Sequence, residues 1–245
     1  MGRVLTAGDL LAVWERGLTQ RPLERAISLL ATSHPEAPLE QLREQPIGQR
    51  DAQLMEIREA LFGPSLACLV ACPKCGERLE IALDIAQFRA LSSDTDISKI
   101  HTINASGYEI QFRLPNSADM QSIANVSDAD PARRALFERC VQNSTREGAP
   151  VSTSDLPEEM VDAVSSRMAQ MDPQADIQLA LVCPACAAQW SMVFDIVSFL
   201  WSEIHAWAVR ILREVHQLAS AYGWREADIL ALSPMRRQFY LELIG

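Results

Sequence analysis

CPKCGERLEIALD, residues 72–84, places two cysteines two residues apart and follows them with an apolar-polar alternation. A second copy, CPACAAQWSMVFD at 183–195, begins 111 residues later. Superposed, Cys72 and Cys75 fall on Cys183 and Cys186. Leu79, Ile81 and Leu83 fall on Trp190, Met192 and Phe194, Asp84-Ile85 on Asp195-Ile196, and Phe88 on Phe199. Apolar meets apolar throughout, so the chain carries an internal repeat of knuckle, strand, aspartate and helix.

One CxxC turn offers two thiolates, half of what a tetrahedral structural metal needs. Two equivalent halves complete the set, and the spacing predicts one structural zinc ion held by Cys72, Cys75, Cys183 and Cys186, with the two following strands meeting beside it as a zinc ribbon. Iron suits similar four-cysteine turns, so the spacing speaks for metal binding more firmly than for metal identity. Two local disulfides are the rival reading, but a thioredoxin-type CxxC sits where a strand enters a helix, whereas here a strand follows each pair. The repeats differ at one telling place. Ala187 stands where the first knuckle has Gly76, and a positive φ there would cost alanine something. Cys68 and Cys140 lie outside the motifs and read as small buried hydrophobes.

Working outward, Leu10, Leu11, Trp14 and Leu18 recur at helical spacing after Asp9, a candidate N-cap. A second helix follows Pro22 with Leu23, Ala26, Ile27 and Leu30 inward, and residues 33–47, with three prolines, form a connection with one short helical turn. A third helix spans 49–61 and stops at Gly63-Pro64. YEIQFRLP at 108–115 reads as a strand. Ser117 and Asp119 open a helix, another runs from Pro131 to Cys140, 148–157 is a loop, and 157–171 is helical. Residues 196–221 form the longest amphipathic helix, ended by Gly223. A shorter helix lies at 226–232, and Ser233-Pro234 start the last one.

The expected fold class is α+β, predominantly helical. It comprises an N-terminal helical region (1–64), a zinc-ribbon-like β unit in two halves (65–88 plus 176–198), an inserted α/β segment with a strand pair and helices (89–175), and a C-terminal helical region (199–245).

The 245 residues are 48% hydrophobic and 22% charged, which suits a folded soluble domain. The opening MGRVLTAGDLLAVWERG meets Asp9 and Glu15 before an uninterrupted apolar run forms, so neither a secretory leader nor a membrane span is expected, and a cytoplasmic location is. A net charge of −10 speaks against nucleic acid as partner, since that affinity rests on clustered Lys and Arg. The ten glycines supply no phosphate-binding loop, and neither a nucleophile elbow nor a paired-carboxylate arrangement stands out. His205 and His216 share one helix at a spacing that lacks the i,i+4 ligand pair. A four-thiolate ion has no open position, so no enzyme and no small-molecule substrate are expected.

Four stretches carry a family likeness. These are LLAVWERGLTQRPLERAISLLA (10–31), the two CPxC knuckles, ADIQLALVCPAC (175–186), and FLWSEIHAWAVRILREVHQLASAYGWREADILALSPMRRQFYLELI (199–244). The chain resembles the baseplate proteins of contractile phage tails and tail-like injection systems related to the phage T4 baseplate hub assembly proteins. The resemblance implies a non-enzymatic protein that binds hub or spike subunits in the bacterial cytoplasm, either as a chaperone lost after assembly or as a minor component retained in the particle. The cysteine clasp is a departure from that pattern. Trp201, Trp207 and Trp224 are either partner anchors or core residues. LSPMRRQFYLELI is either a docking helix, with Met235, Phe239 and Leu243 as anchors and Arg236 and Arg237 flanking them, or a helix packed on the chain's own long helix. The alternative function is a zinc-ribbon regulator that binds nucleic acid, against which stand the acidic composition and the scarcity of basic residues near the knuckles, Lys74 and Arg78 in the first and none in the second.

Overall fold

The computed structural model describes residues 2–89 and 100–244. In chain order the elements begin with α1 (Ala7–Gly17), α2 (Pro22–Ser33), α3 (Leu39–Glu44), α4 (Ile47–Phe62), β1 (Ser65–Ala71), β2 (Arg78–Asp84) and α5 (Ile85–Arg89). There follow β3 (His101–Ala105), β4 (Tyr108–Phe112), α6 (Ser117–Ile123), α7 (Ala129–Cys140), β5 (Val141–Arg146), β6 (Ala149–Pro150) and α8 (Glu158–Met171). The chain closes with β7 (Gln178–Val182), β8 (Gln189–Val193), α9 (Ile196–Tyr222), α10 (Glu226–Leu230) and α11 (Pro234–Leu243). The fold is thus mixed helix and sheet. Residues 90–99, at the opening of the expected inserted segment, lie outside the described residues.

The described residues divide into two compact units, 1–37 with 196–245 and 38–195. The first is helical. Thr6, rather than Asp9, is the N-cap of α1: its hydroxyl accepts from the Asp9 backbone N–H, while the Asp9 carboxylate accepts from the Thr6 N–H at 3.0 Å. Asp9 is therefore the third residue of a capping box, a role its spacing from Thr6 permits equally well. The buried face of α1 is Leu10, Leu11, Val13 and Gly17, and Leu18, expected inward, is half exposed. Along α9, Ala208 and Ile211 pack with Leu11, Trp14 and Trp207; further on, Val215 and Leu218 pack with Ile229, Trp224 and Tyr240.

The second unit holds all eight strands named above. One core of this unit joins Ile110, Phe112 and Leu114 to Phe137 of α7 and to Met160, Val161 and Val164 of α8. Where a strand pair was expected, β3-β4-β5-β6 form a four-stranded antiparallel sheet. β5, VQNSTR, has Val141 as its sole apolar residue, which is why alternation does not reveal it; Ser144 takes an inward position and donates its hydroxyl hydrogen to the Val151 carbonyl at 2.7 Å. Asp119, fully buried, accepts from Arg113 at 2.9 Å, from Arg139 at 3.0 Å and from the Asn116 N–H at 3.0 Å, which ties α6 to the sheet.

The two repeats fold alike but do not share a sheet. β1 pairs with β2 and β7 with β8, each pair an antiparallel hairpin whose turn is the knuckle. The strands after the knuckles thus pair with the strands before them. The register repeats as well: Ala71 faces Arg78, and Val182, 111 residues on, faces Gln189. Ile85 is buried, and Phe88 of α5 stacks on Phe194 with ring centres 5.0 Å apart.

Candidate metal centre

Each knuckle is built by the same backbone bonds. In the first, the Cys72 N–H donates to the Glu77 carbonyl at 2.8 Å and the Gly76 N–H to the Cys72 carbonyl at 2.9 Å. In the second, the Cys183 N–H donates to Ala188 and the Ala187 N–H to Cys183, both at 2.9 Å. The turns need a left-handed residue after the second cysteine. Gly76 has φ +76° and Ala187 φ +55°. The alanine accepts a conformation that costs a Cβ-bearing residue about 1–2 kcal/mol, so the strain foreseen from the sequence is present in the fold.

The four sulfurs of Cys72, Cys75, Cys183 and Cys186 lie within 4.8 Å of one another. Cys72 and Cys186 sulfurs are 3.7 Å apart, and those of Cys75 and Cys183 3.6 Å. The short approaches run between repeats, first cysteine of one to second of the other, so neither knuckle is closed on itself. Four sulfurs about 2.3 Å from one ion would form a tetrahedron with edges of roughly 3.8 Å. The arrangement therefore suits a metal. Cys72 and Cys183 are buried, Cys186 is half buried and Cys75 is exposed, so the site sits at the surface with one edge open to water.

The surrounding donors favour thiolates. Burial raises the Cys72 thiol, but the N–H groups of Cys75 and Lys74 and the neighbouring thiols outweigh it and bring it down to about 7. For Cys75 the Glu77 N–H pulls the other way, yet adjoining sulfurs, Cys186 foremost, push it up to about 12. The Ala188 N–H donates to Cys186 as Glu77 does to Cys75, again 111 residues apart, but burial and the Cys183 and Cys72 sulfurs outweigh it and raise that thiol too. Sulfurs this close cannot all carry charge unless a cation stands among them.

The remaining singled-out residues lie elsewhere. Trp207 and Trp224 pack into the helical cores, and Trp224 stacks on Tyr222 with ring centres 4.6 Å apart. Trp201 lies against Gly17 and under the Arg25 guanidinium, 4.3 Å from its ring centre. Met235, Arg236 and Phe239 are exposed, whereas Arg237 is buried against Glu214. Nδ1 of His205 accepts from the Trp14 indole at 3.1 Å, and among the described residues the four cysteines form the only cluster suited to a metal. Among those residues, no helix is long and apolar enough to cross a membrane.

The family described as T4 bacteriophage base plate protein matches residues 19–201, well over half of the chain. That span takes in both knuckles. No curated protein and no solved structure matches.

Proposed function

This chain belongs to the T4 bacteriophage base plate protein family, and from that premise we propose that it is a zinc-clasped assembly protein of the baseplate hub. It binds hub or spike subunits of a contractile tail or tail-like injection system, either as a chaperone or as a minor structural part. Its place of action is the cytoplasm of the bacterial host, where such particles are put together.

The observation that carries this reading is the convergence of four thiols from two repeats, set in a family of baseplate proteins. Zinc is the ion of choice for four thiolates on two tight turns, and with four protein ligands it has no position left for water or substrate. The ion then acts as a clasp. It closes the chain from Cys72 to Cys186, and a structural zinc of this kind contributes folding free energy on the order of 10 kcal/mol. The role is accordingly non-enzymatic: the metal holds a binding surface in shape.

Co-production of the affinity-tagged chain with the hub and spike proteins of its own particle tests this. A stable complex with a hub or spike subunit is expected. If the chain instead elutes without them and retards arbitrary DNA at low salt, with affinity falling steeply as salt is added, the regulator reading takes its place.

A further inference from the structure

Helix α11 is inside out. Met235, Phe239 and Leu243 recur every four residues on one face and are 75%, 67% and 71% exposed. The opposite face buries Arg237, whose Nε donates to Glu214 at 3.0 Å and whose Nη1 donates to the Leu232 carbonyl at 2.6 Å. Tyr240 and Leu241 accompany it into the cluster around Val215, Leu218 and Ile229. Half a turn of rotation would exchange Tyr240 and Leu241 for three large apolar side chains and return a guanidinium to water. The Glu214–Arg237 pair and the Ser233 cap hold the other orientation. Stability alone does not explain such a choice, because burying an arginine incurs a desolvation penalty that its partner only offsets.

We infer that the Met235–Phe239–Leu243 stripe is the docking element for another baseplate protein, which receives it in an apolar groove with carboxylates on the rim facing Arg236. This deepens the assembly reading and rests on it. A second copy is a poorer occupant: the stripe exposes roughly 400 Å², so two stripes face to face bury roughly 800 Å², below the ~1,200 Å² where stable interfaces begin. A groove encloses the helix from three sides and adds its flanks, as in helix-in-groove recognition, where anchors four residues apart enter pockets about 6 Å apart. Charge selects the rim. Arg236 forms no ion pair among the described residues, while Glu242 on the other flank is engaged by Gln238 at 3.2 Å. Met235, Arg236, Phe239, Tyr240 and Leu243 line one shallow recess, a seat for a side chain of the groove wall.

The test titrates each baseplate protein of the same particle, purified singly, against the fluorescently labelled, metal-loaded full chain. One of them binds, Phe239→Asp weakens it by about a hundredfold, and Arg236→Glu by about tenfold. Val4→Asp, an apolar residue 71% exposed elsewhere, leaves it unchanged, and all three variants unfold at the wild-type midpoint. Wild-type affinity in Phe239→Asp overturns the docking site and leaves the assembly reading standing, whereas failure of every baseplate protein to bind the wild type overturns both. A dimer that Phe239→Asp abolishes assigns the stripe to a second copy. Flotation with phosphatidylglycerol vesicles that the same change abolishes assigns it to lipid. Either result refutes a protein groove.

Discussion

Exchanging the residues at the two equivalent knuckle positions moves metal affinity in opposite directions. Gly76 and Ala187 both hold positive φ in turns with matching hydrogen bonds. A Cβ built on Gly76 meets nothing within 4 Å, so the effect of Gly76→Ala is conformational and not steric. The left-handed conformation costs alanine about 1–2 kcal/mol, and alanine's stiffer unfolded chain returns about 0.4–1 kcal/mol of it. The net is a loss of about 1 kcal/mol for Gly76→Ala and a gain of similar size for Ala187→Gly. In competition with a chromophoric chelator these appear as roughly fivefold weaker and roughly fivefold tighter binding, one kcal/mol being about fivefold. The double variant returns close to wild type. If both single changes weaken the metal, or Ala187→Gly alone does, the knuckles are not the equivalent strained turns described above.

Three further changes, two of them paired with a control substitution, probe the two units away from the cysteines. Gly48→Ala would set a Cβ 1.8 Å from Oδ1 of Asp172, whose Oδ2 accepts the Gly48 N–H, so it should cost about 3 kcal/mol in urea unfolding; Gly8→Ala, on the open side of α1, should be neutral or stabilising by up to about 1 kcal/mol. Asp119→Ala should cost about 2–3 kcal/mol by removing the charge-assisted bonds from Arg113 and Arg139, both of which keep access to water. Burial works against the Asp119 charge, but Arg113, the Asn116 N–H and Arg139 outweigh it and hold its carboxyl below the ordinary range. Its contribution is therefore full above about pH 4, the unfolded value, and is lost as pH falls through the lower folded value, so wild type and variant should converge in acid. Arg237→Ala should cost about 3 kcal/mol and speed hydrogen exchange across 234–243, while Arg236→Ala should stay within about 0.5 kcal/mol of wild type.

What the sequence disclosed followed from periodicity and spacing. The repeat placed all four thiols and α5, Ser117 and Asp119 marked α6, and the other helices announced themselves by apolar spacing or by prolines and glycines at their ends. Other features depended on tertiary context. β1 and β7 are short apolar runs, SLACLVA and QLALV, which do not alternate with polar residues and so resemble buried segments of either kind. Pairing with the strand beyond each knuckle makes them hairpins. Local signs of the four-stranded sheet were present in Ser106-Gly107 and Glu147-Gly148, both pairs at positive φ as tight hairpin turns require. Polar β5 hid the second of them. Arg237 was illegible for a different reason: adjacent arginines look alike in a sequence, and only Glu214, one helix away, distinguishes the buried one from Arg236.

The most direct test is the metal content of the native chain, measured by native mass spectrometry alongside thiol labelling. One zinc ion per chain is predicted, with Cys72, Cys75, Cys183 and Cys186 protected until a chelator removes it and all four reactive afterwards. A chain that arrives metal-free, with Cys72 joined to Cys75 and Cys183 to Cys186 as disulfides, would contradict the clasp and the role built on it.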